Sequence, residues 1–321
     1  VLSGSQAQGV RLAVFGTALF STSAVLVRSA AGFGPLEVAS FRLIAGAAFI
    51  GLILLVIRKA PAESRPSGGP AAWAVLAAGL SAAVHFGFYV ASLYWTTVAH
   101  SLVIVNLSPL LAIPVAAVVL GERSGPGRLP GVLITLIGLA IMVGLEPGLS
   151  REHLVGDAMA LLAALAYAFY SVIGRTQRGP AGTDLLVYTF RVYLLAGLLL
   201  LPAALWQAAA RLTVGAGPGW TLPGAAAVLL LALIPTAGGH TLYNAALRRA
   251  DAVTVNLIAT QEVTGGVLLG LLVLGEVPSR AAVLGGVLAL SGLSLALWSD
   301  RTRRSAPVGG GRSRLPARGG K

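Results

Sequence analysis

The 321-residue sequence contains no cysteine, which excludes disulfides, thiol chemistry and cysteine-ligated metals. Charge is scarce too: 11% of residues are Asp, Glu, Lys or Arg, against roughly a quarter in a soluble domain. Catalytic signatures are missing, with no HExxH, no GxSxG, no P-loop and no paired acidic residues on one helix. A membrane-embedded enzyme is therefore disfavoured, and no cofactor or metal is expected. Without a nucleotide-binding motif, any uphill movement of a solute must draw on an ion gradient or on the solute's own gradient.

What is present is apolar. Hydrophobic residues make up 56% of the chain, the mean hydropathy is +0.84, and there are 41 glycines. Such a composition fits a bilayer, with small residues where helices pack closely. A hydrocarbon core of about 30 Å takes ~20 helical residues to cross. Ten segments qualify: 10–28, 36–57, 71–94, 101–120, 129–145, 154–174, 185–206, 222–247, 253–274 and 281–298. They are numbered as helices 1 to 10. Arg11 precedes the first apolar run in the manner of a signal peptide. That run has a counterpart at 156–175, however, and is read as a retained helix.

The net charge of +12 is unevenly placed. Seven basic residues fall in the last 21: Arg301, Arg303, Arg304, Arg312, Arg314, Arg318 and Lys321. This Gly/Arg/Pro-rich tail reads as disordered, with the anionic cytoplasmic lipid surface as its partner and no nucleic acid. With the N-terminus inside, the cytoplasmic loops and termini hold 17 of the 23 Lys and Arg residues. Four lie outside (Arg28, Arg151, Arg211, Arg280), and Arg42 and Arg191 fall within helices. The positive-inside rule then places both termini in the cytoplasm of a multi-pass protein of the cell inner membrane.

A shift of 154 residues superposes the two halves. Tyr89 to Leu93 falls on Tyr243 to Leu247, and Leu120-Gly121-Glu122 falls on Leu274-Gly275-Glu276. Gly131 and Gly138 of helix 5 meet Gly285 and Gly292 of helix 10. With a slightly different offset, Phe41-Arg42 meets Phe190-Arg191. Each repeat has an odd number of spans, so the second inserts upside down. Inverted repeats underlie many secondary transporters, with substrate near the midplane where the halves meet. The predicted fold is an all-α integral membrane protein, with ten transmembrane helices in two inverted five-helix repeats around a central cavity. Its parts are an N-terminal segment (1–9), a first repeat (10–147), a second repeat (154–298) and a basic tail (299–321).

The chain resembles the drug/metabolite transporter superfamily, specifically its EamA-like ten-helix members. The resemblance rests on PLEVASFRLIAGAA (35–48), on Tyr89 through SPLLAIPVAAVVLGER (108–123), on GDAMALLAALAYAFYSVIGR (156–175) and on the stretch 258–293. It implies a basket of helices around a cavity, with helices 5 and 10 peripheral, that exports or exchanges small metabolites, amino acids among them. The family's Glu-Pro pair in helix 9 is altered, because Val263 follows Glu262. This departure argues against a role tied to a break in helix 9.

Ionisable groups inside a membrane are costly and tend to face a cavity or a partner. Glu262, near the middle of helix 9, is the leading candidate for taking up and releasing a coupled proton. It also fits a protonated carboxyl bonded to a neighbouring helix. Ser81, His85, Tyr89 and Ser92 share one face of helix 3, and Thr236, His240, Tyr243 and the adjacent Asn244 form a similar face on helix 8. His85 and His240 are nearly equivalent under the repeat and are candidates for a proton relay or for substrate contact. Each could equally be a neutral imidazole held by a carbonyl.

Asn106 and Ser108 in helix 4, and Asn256 and Thr260 in helix 9, either line the same cavity or bond helices together. Pro109, Pro114 and Pro235 either free carbonyls for a ligand or merely kink their helices. Tyr170 and Tyr167 in helix 6 offer aromatic stacking, with core packing the competing role. Tyr94, Trp95 and Trp298 read as interface anchors. Arg42 and Arg191 lie within snorkelling reach of opposite membrane faces and are read as gating or structural residues. Glu37 and Asp184 are possible partners, but five and seven residues is a poor intrahelical spacing, which favours a partner on another helix. Glu122 and Glu276 end their helices and are given a mechanical role.

A lipid-carrier flippase is the competing transport reading, and it predicts a lateral opening with basic headgroup contacts. A non-transporting scaffold is disfavoured by the inverted repeat. A homodimer is left open.

Overall fold

The computed structural model describes residues 4–57, 71–121, 126–147, 150–176, 185–213, 219–247, 249–250 and 252–304, and every regular element among them is helical. Among the described residues nine helices are long and apolar enough to cross a membrane, and Leu129–Gly144 is a tenth, shorter apolar helix. In chain order they are helix 1 (Gly4–Arg28), helix 2 (Pro35–Ile57), helix 3 (Ala72–Trp95), helix 4 (Val98–Leu120) and helix 5 (Leu129–Gly144). The second half continues with helix 6 (Arg151–Thr176), helix 7 (Leu185–Thr213) and helix 8 (Leu222–Leu247). Helix 9 is assembled from Ala252–Ala259, Glu262–Leu269 and Gly270–Leu274, and helix 10 is Arg280–Arg304. The protein is an all-α, multi-pass membrane protein.

Helix 7 runs to Thr213 rather than 206, and two of the boundaries between the parts of the chain also differ from the sequence reading. Helix 1 begins at Gly4, inside the segment read as preceding it, and helix 10 continues to Arg304, into the segment read as a disordered tail. Neither stretch contains a proline to stop a helix. The rest of the tail, 305–321, lies outside the described residues.

The packing follows the repeat. Helix 2 packs on helix 7, helix 4 on helix 9 and helix 5 on helix 10, while helix 3 packs on helix 6 as helix 8 packs on helix 1. Exchanging each helix for its counterpart in the other half leaves this set unchanged, as a pseudo-twofold between opposed repeats requires. Gly121 and Gly275 share one left-handed backbone conformation (φ 68°, ψ 15°) as the caps that end helices 4 and 9.

Helices 5 and 10 show why small residues recur. A Cβ on Gly131 or Gly138 would run into the backbone of helix 10 at Gly292 and Ala296 or at Gly285 and Ala289. Thr135 completes the contact by donating to the carbonyls of Gly131 (2.8 Å) and Ala289 (3.3 Å). Close backbone approach of this kind holds helices together where lipid provides no hydrophobic drive. Elsewhere the core is mostly alanine, valine and leucine, and large apolar side chains such as Leu52, Val118, Leu272 and Leu284 are exposed on the periphery, where lipid covers them.

Candidate functional site

Two helices are interrupted halfway across. In helix 4 the first piece, Val98–Val105, ends at Asn106 and the second, Ser108–Leu120, begins after Leu107. In helix 9 the pieces Ala252–Ala259 and Glu262–Leu269 are separated by Thr260 and Gln261. The two breaks fall at the same place in the two repeats, because Asn106 and Thr260 are 154 residues apart. Side-chain bonds turn back on the helix just before each break. Asn106 Nδ2 donates to the Leu102 carbonyl (3.0 Å), and Thr260 Oγ1 donates to the Leu257 carbonyl (2.8 Å). Each break presents the positive N-terminal end of a half-helix, headed by Ser108 in one repeat and Glu262 in the other. Helix 9 is thus broken despite lacking the proline whose absence argued against it.

A cavity lies against both breaks and draws its walls from both repeats. Helices 4 and 9 contribute Asn106, Ser108, Pro109, Asn256, Thr260 and Glu262. Helix 3 supplies His85, Phe86 and Tyr89, helix 6 supplies Tyr167, and helix 8 supplies Pro235, His240 and Tyr243. Its volume is about 90 Å³.

The local chemistry fixes these side chains in turn. His85 Nδ1 lies 2.9 Å from the Ala163 carbonyl, so this nitrogen carries the proton and the ring is tied to helix 6. The same ring stacks on Tyr89 (6.0 Å between centroids) and tilts against Tyr167 (4.7 Å). His240 meets Phe20 edge-on at 4.7 Å, and Phe86 stands between the two imidazoles, 4.7 Å from His85 and 6.1 Å from His240. Tyr243 donates to Asn256 Oδ1 at 2.5 Å and so joins helices 8 and 9 on the cavity wall.

Not every candidate residue reaches the cavity. Tyr170 is buried behind Tyr167 in the packing between helices 3, 6 and 7, and Asn244 is buried away from the cavity wall. Glu122 and Asp184 lie outside the described residues. No residue of helix 1 is among the site candidates read from the sequence, yet it lends Phe20 and Ser23 to the cavity. It bends at Thr22, whose hydroxyl donates back to the Leu19 carbonyl (2.7 Å). The run of hydroxyls at Thr17, Ser21, Thr22 and Ser23 was the signal available for it.

Arg42 differs most from the sequence reading. It does not reach a membrane face; it is 2% exposed and lines the cavity, with its guanidinium carbon 4.8 Å from the centre of the Phe86 ring. Arg191, its counterpart by the repeat, is exposed. Nor is Glu37 the partner of Arg42. Glu37 is fully buried and takes two bonds from Arg211 (2.6 and 2.5 Å) and one from Trp220 Nε1 (3.1 Å).

A second polar cluster closes one end of the bundle. Glu276 accepts from the Val98 N–H (2.6 Å) at the start of helix 4 and pairs with Arg28 (3.6 Å). Arg28 also donates to the Thr96 carbonyl (2.9 Å), and the Thr96 hydroxyl donates to Asp157 (2.7 Å). His100 stands between two carboxylates, Asp157 at 3.0 Å from Nδ1 and Glu146 at 3.3 Å from Nε2, and Ser279 bonds to Glu146. Together with Glu37 and Arg211 these groups join both repeats at the end where helices 1, 3, 5, 7 and 9 finish. His100 was not singled out in the sequence, because its partners are 57 and 46 residues away.

Comparison with known proteins agrees with this architecture. A crystal structure 21% identical in sequence superposes with a TM-score of 0.62 over 93% of this chain and 99% of that one, which shows the fold alone. An uncharacterized protein of Pseudomonas aeruginosa is 31% identical over 86% of this chain and 92% of its own length. A protein of Salmonella typhimurium named "Probable amino-acid metabolite efflux pump" is 26% identical over 60% of this chain and 65% of its own. The EamA-like transporter family matches residues 7–144 and again residues 154–298. The chain therefore belongs to the EamA-like transporter family, within the drug/metabolite transporter superfamily.

Proposed function

We propose that this protein is a secondary transporter that exports or exchanges small metabolites, such as amino acids, across the cytoplasmic membrane by alternating access. The observation that carries this reading is the matched pair of broken helices around one cavity at the seam of the two repeats. Helices interrupted in this way offer half-helix ends to a solute at the midplane, and rocking of one repeat against the other opens the site to alternate sides. The name of the Salmonella typhimurium relative supports an amino-acid cargo.

In this reading His85, Tyr89, Asn106, His240, Tyr243, Thr260 and Glu262 form the cargo site, and Tyr170 and Asn244 support it from behind. Glu262, at the head of a half-helix and on the cavity wall, takes up and releases the coupled proton, with His85 and His240 as neighbouring relay groups. The clasp of Glu276, Arg28, Asp157, His100 and Glu146 is the outer gate, given the charge bias that puts both termini in the cytoplasm. The basic tail rests on anionic lipid.

The test is counterflow of radiolabelled amino acids by the purified protein in proteoliposomes. The wild type is expected to exchange solute, and Glu262→Gln and His85→Ala to be impaired while remaining folded in the membrane. No exchange of any amino acid by the wild type overturns the function. Unchanged exchange by both variants overturns the site.

A further inference from the structure

The cavity wall carries a guanidinium nitrogen with nothing to bond. Arg42 spends Nε and Nη2 on Thr236, at 3.0 and 2.8 Å, and its Nη1 has no partner. Tyr89, 4% exposed, sets its hydroxyl beside Ser23 on the same wall. Both residues line the same cavity, from helices 2 and 3. Among the described residues no carboxylate forms an ion pair with Arg42.

A guanidinium has N–H donors and no acceptor, so the unpaired edge of Arg42 calls for an acceptor, preferably an anionic one. Glu262 on the same wall is near enough for the two groups to interact but makes no ion pair with Arg42. A buried charge left without a paired counter-ion is expensive, and native proteins retain one where a ligand or a partner supplies the balance. The surroundings point the same way. The half-helix ends headed by Ser108 and Glu262 bring positive dipole ends to the cavity, which favour an anionic group. Thr236 holds two nitrogens of Arg42 from one side and Phe86 lies against the guanidinium, so the group has little freedom to turn elsewhere.

We propose that Arg42 and Tyr89 form a carboxylate-binding subsite, and that the cargo of this cavity carries a carboxylate. The carboxylate accepts from Nη1 of Arg42, filling the vacant donor, and from the Tyr89 hydroxyl, whose oxygen can still accept from Ser23. Glu262 on the same wall then receives an ammonium group if the cargo is a zwitterion, or holds a proton if it is a simple acid. This deepens the transport reading and rests on it only in taking the cavity as the cargo site.

The experiment uses the full chain, purified in detergent, and matched acid and carboxamide pairs built on alanine, leucine and phenylalanine. Affinity is read from ligand-induced thermal stabilisation, and transport from counterflow. The wild type is expected to bind at least one acid roughly tenfold or more tightly than its carboxamide, the scale of a charge-assisted hydrogen bond. Arg42→Gln removes that preference, Arg42→Lys keeps part of it, and Tyr89→Phe reduces it. Were Arg42→Gln to misfold, Tyr89→Phe, which deletes one oxygen, decides. A wild type without preference for the acids overturns the subsite, and so does a full preference retained in Arg42→Gln, whatever that variant does to stability. Counterflow of acid and carboxamide at equal rates sinks the subsite and leaves the transporter standing. A lack of all counterflow alongside an intact acid preference has the opposite meaning.

Discussion

Thr236 Oγ1 on helix 8 accepts two hydrogen bonds from Arg42 on helix 2, and its own proton goes to the Leu231 carbonyl at 2.8 Å. The cause lies one residue earlier. Pro235 has no N–H to offer the Leu231 carbonyl, and helix 8 widens into a π-helical stretch over Ala232–Gly239, whose i→i−5 pattern turns Thr236 toward that carbonyl. The Thr236 hydroxyl satisfies that carbonyl, which leaves its lone pairs for the guanidinium. A proline that reads as a mere kink thus places the charge that faces the cavity.

Thr236→Val should therefore cost more than a methyl-for-hydroxyl exchange on a lipid-facing surface. It leaves two guanidinium nitrogens unpaired and strips the Leu231 carbonyl of its side-chain bond, with a loss of about 1–3 kcal/mol per buried group left unpaired. The expected result is a clearly lower unfolding temperature in detergent, with Thr236→Ser restoring most of it. A Thr236→Val protein as stable as the wild type would show that these bonds hold nothing.

Glu262→Gln keeps the size and hydrogen-bonding capacity of the side chain and removes its titration. If Glu262 carries the coupled proton, this variant loses accumulation driven by a pH gradient altogether, while exchange of labelled for unlabelled solute is impaired only in part. Proteoliposomes with and without an imposed gradient separate the two activities. Accumulation at the wild-type level assigns the proton to another group.

Gly138→Val and Gly285→Val test the seam of helices 5 and 10. Each side chain would meet backbone of the facing helix rather than a movable side chain. Overpacking of this kind costs roughly 1–3 kcal/mol or more, and loss of monodisperse protein on size exclusion is expected. The exposed Leu284 next to Gly285 is the control, and Leu284→Val should be silent.

Much of the fold was legible because it is written in periodicity. The 154-residue offset, the glycines of helices 5 and 10 and the matched caps at Gly121 and Gly275 are local signals repeated twice. The break at Thr260 and Gln261 was harder to see, since neither residue is a proline or a glycine and Val263 stands where the family has proline. Its equivalence to Asn106 and Leu107, which precede Pro109, was the available sign. Arg42 was misplaced for a different reason. Its depth along helix 2 is readable, but the direction of its side chain depends on Thr236, 194 residues later. His100 and its two carboxylates are a contact made only by the tertiary fold.

The absence of cysteine makes the most direct test of alternating access practicable. Ser23→Cys puts a single thiol on the cavity wall, and its reaction with a membrane-impermeant maleimide is timed from each side of the membrane. The account predicts labelling from the cytoplasmic side and protection from outside while the clasp is intact. Asp157→Asn, which weakens the hold on His100, should raise the external rate and lower the cytoplasmic one. Equal labelling from both sides at once, or rates indifferent to Asp157, would contradict a gated cavity at the seam of the two repeats.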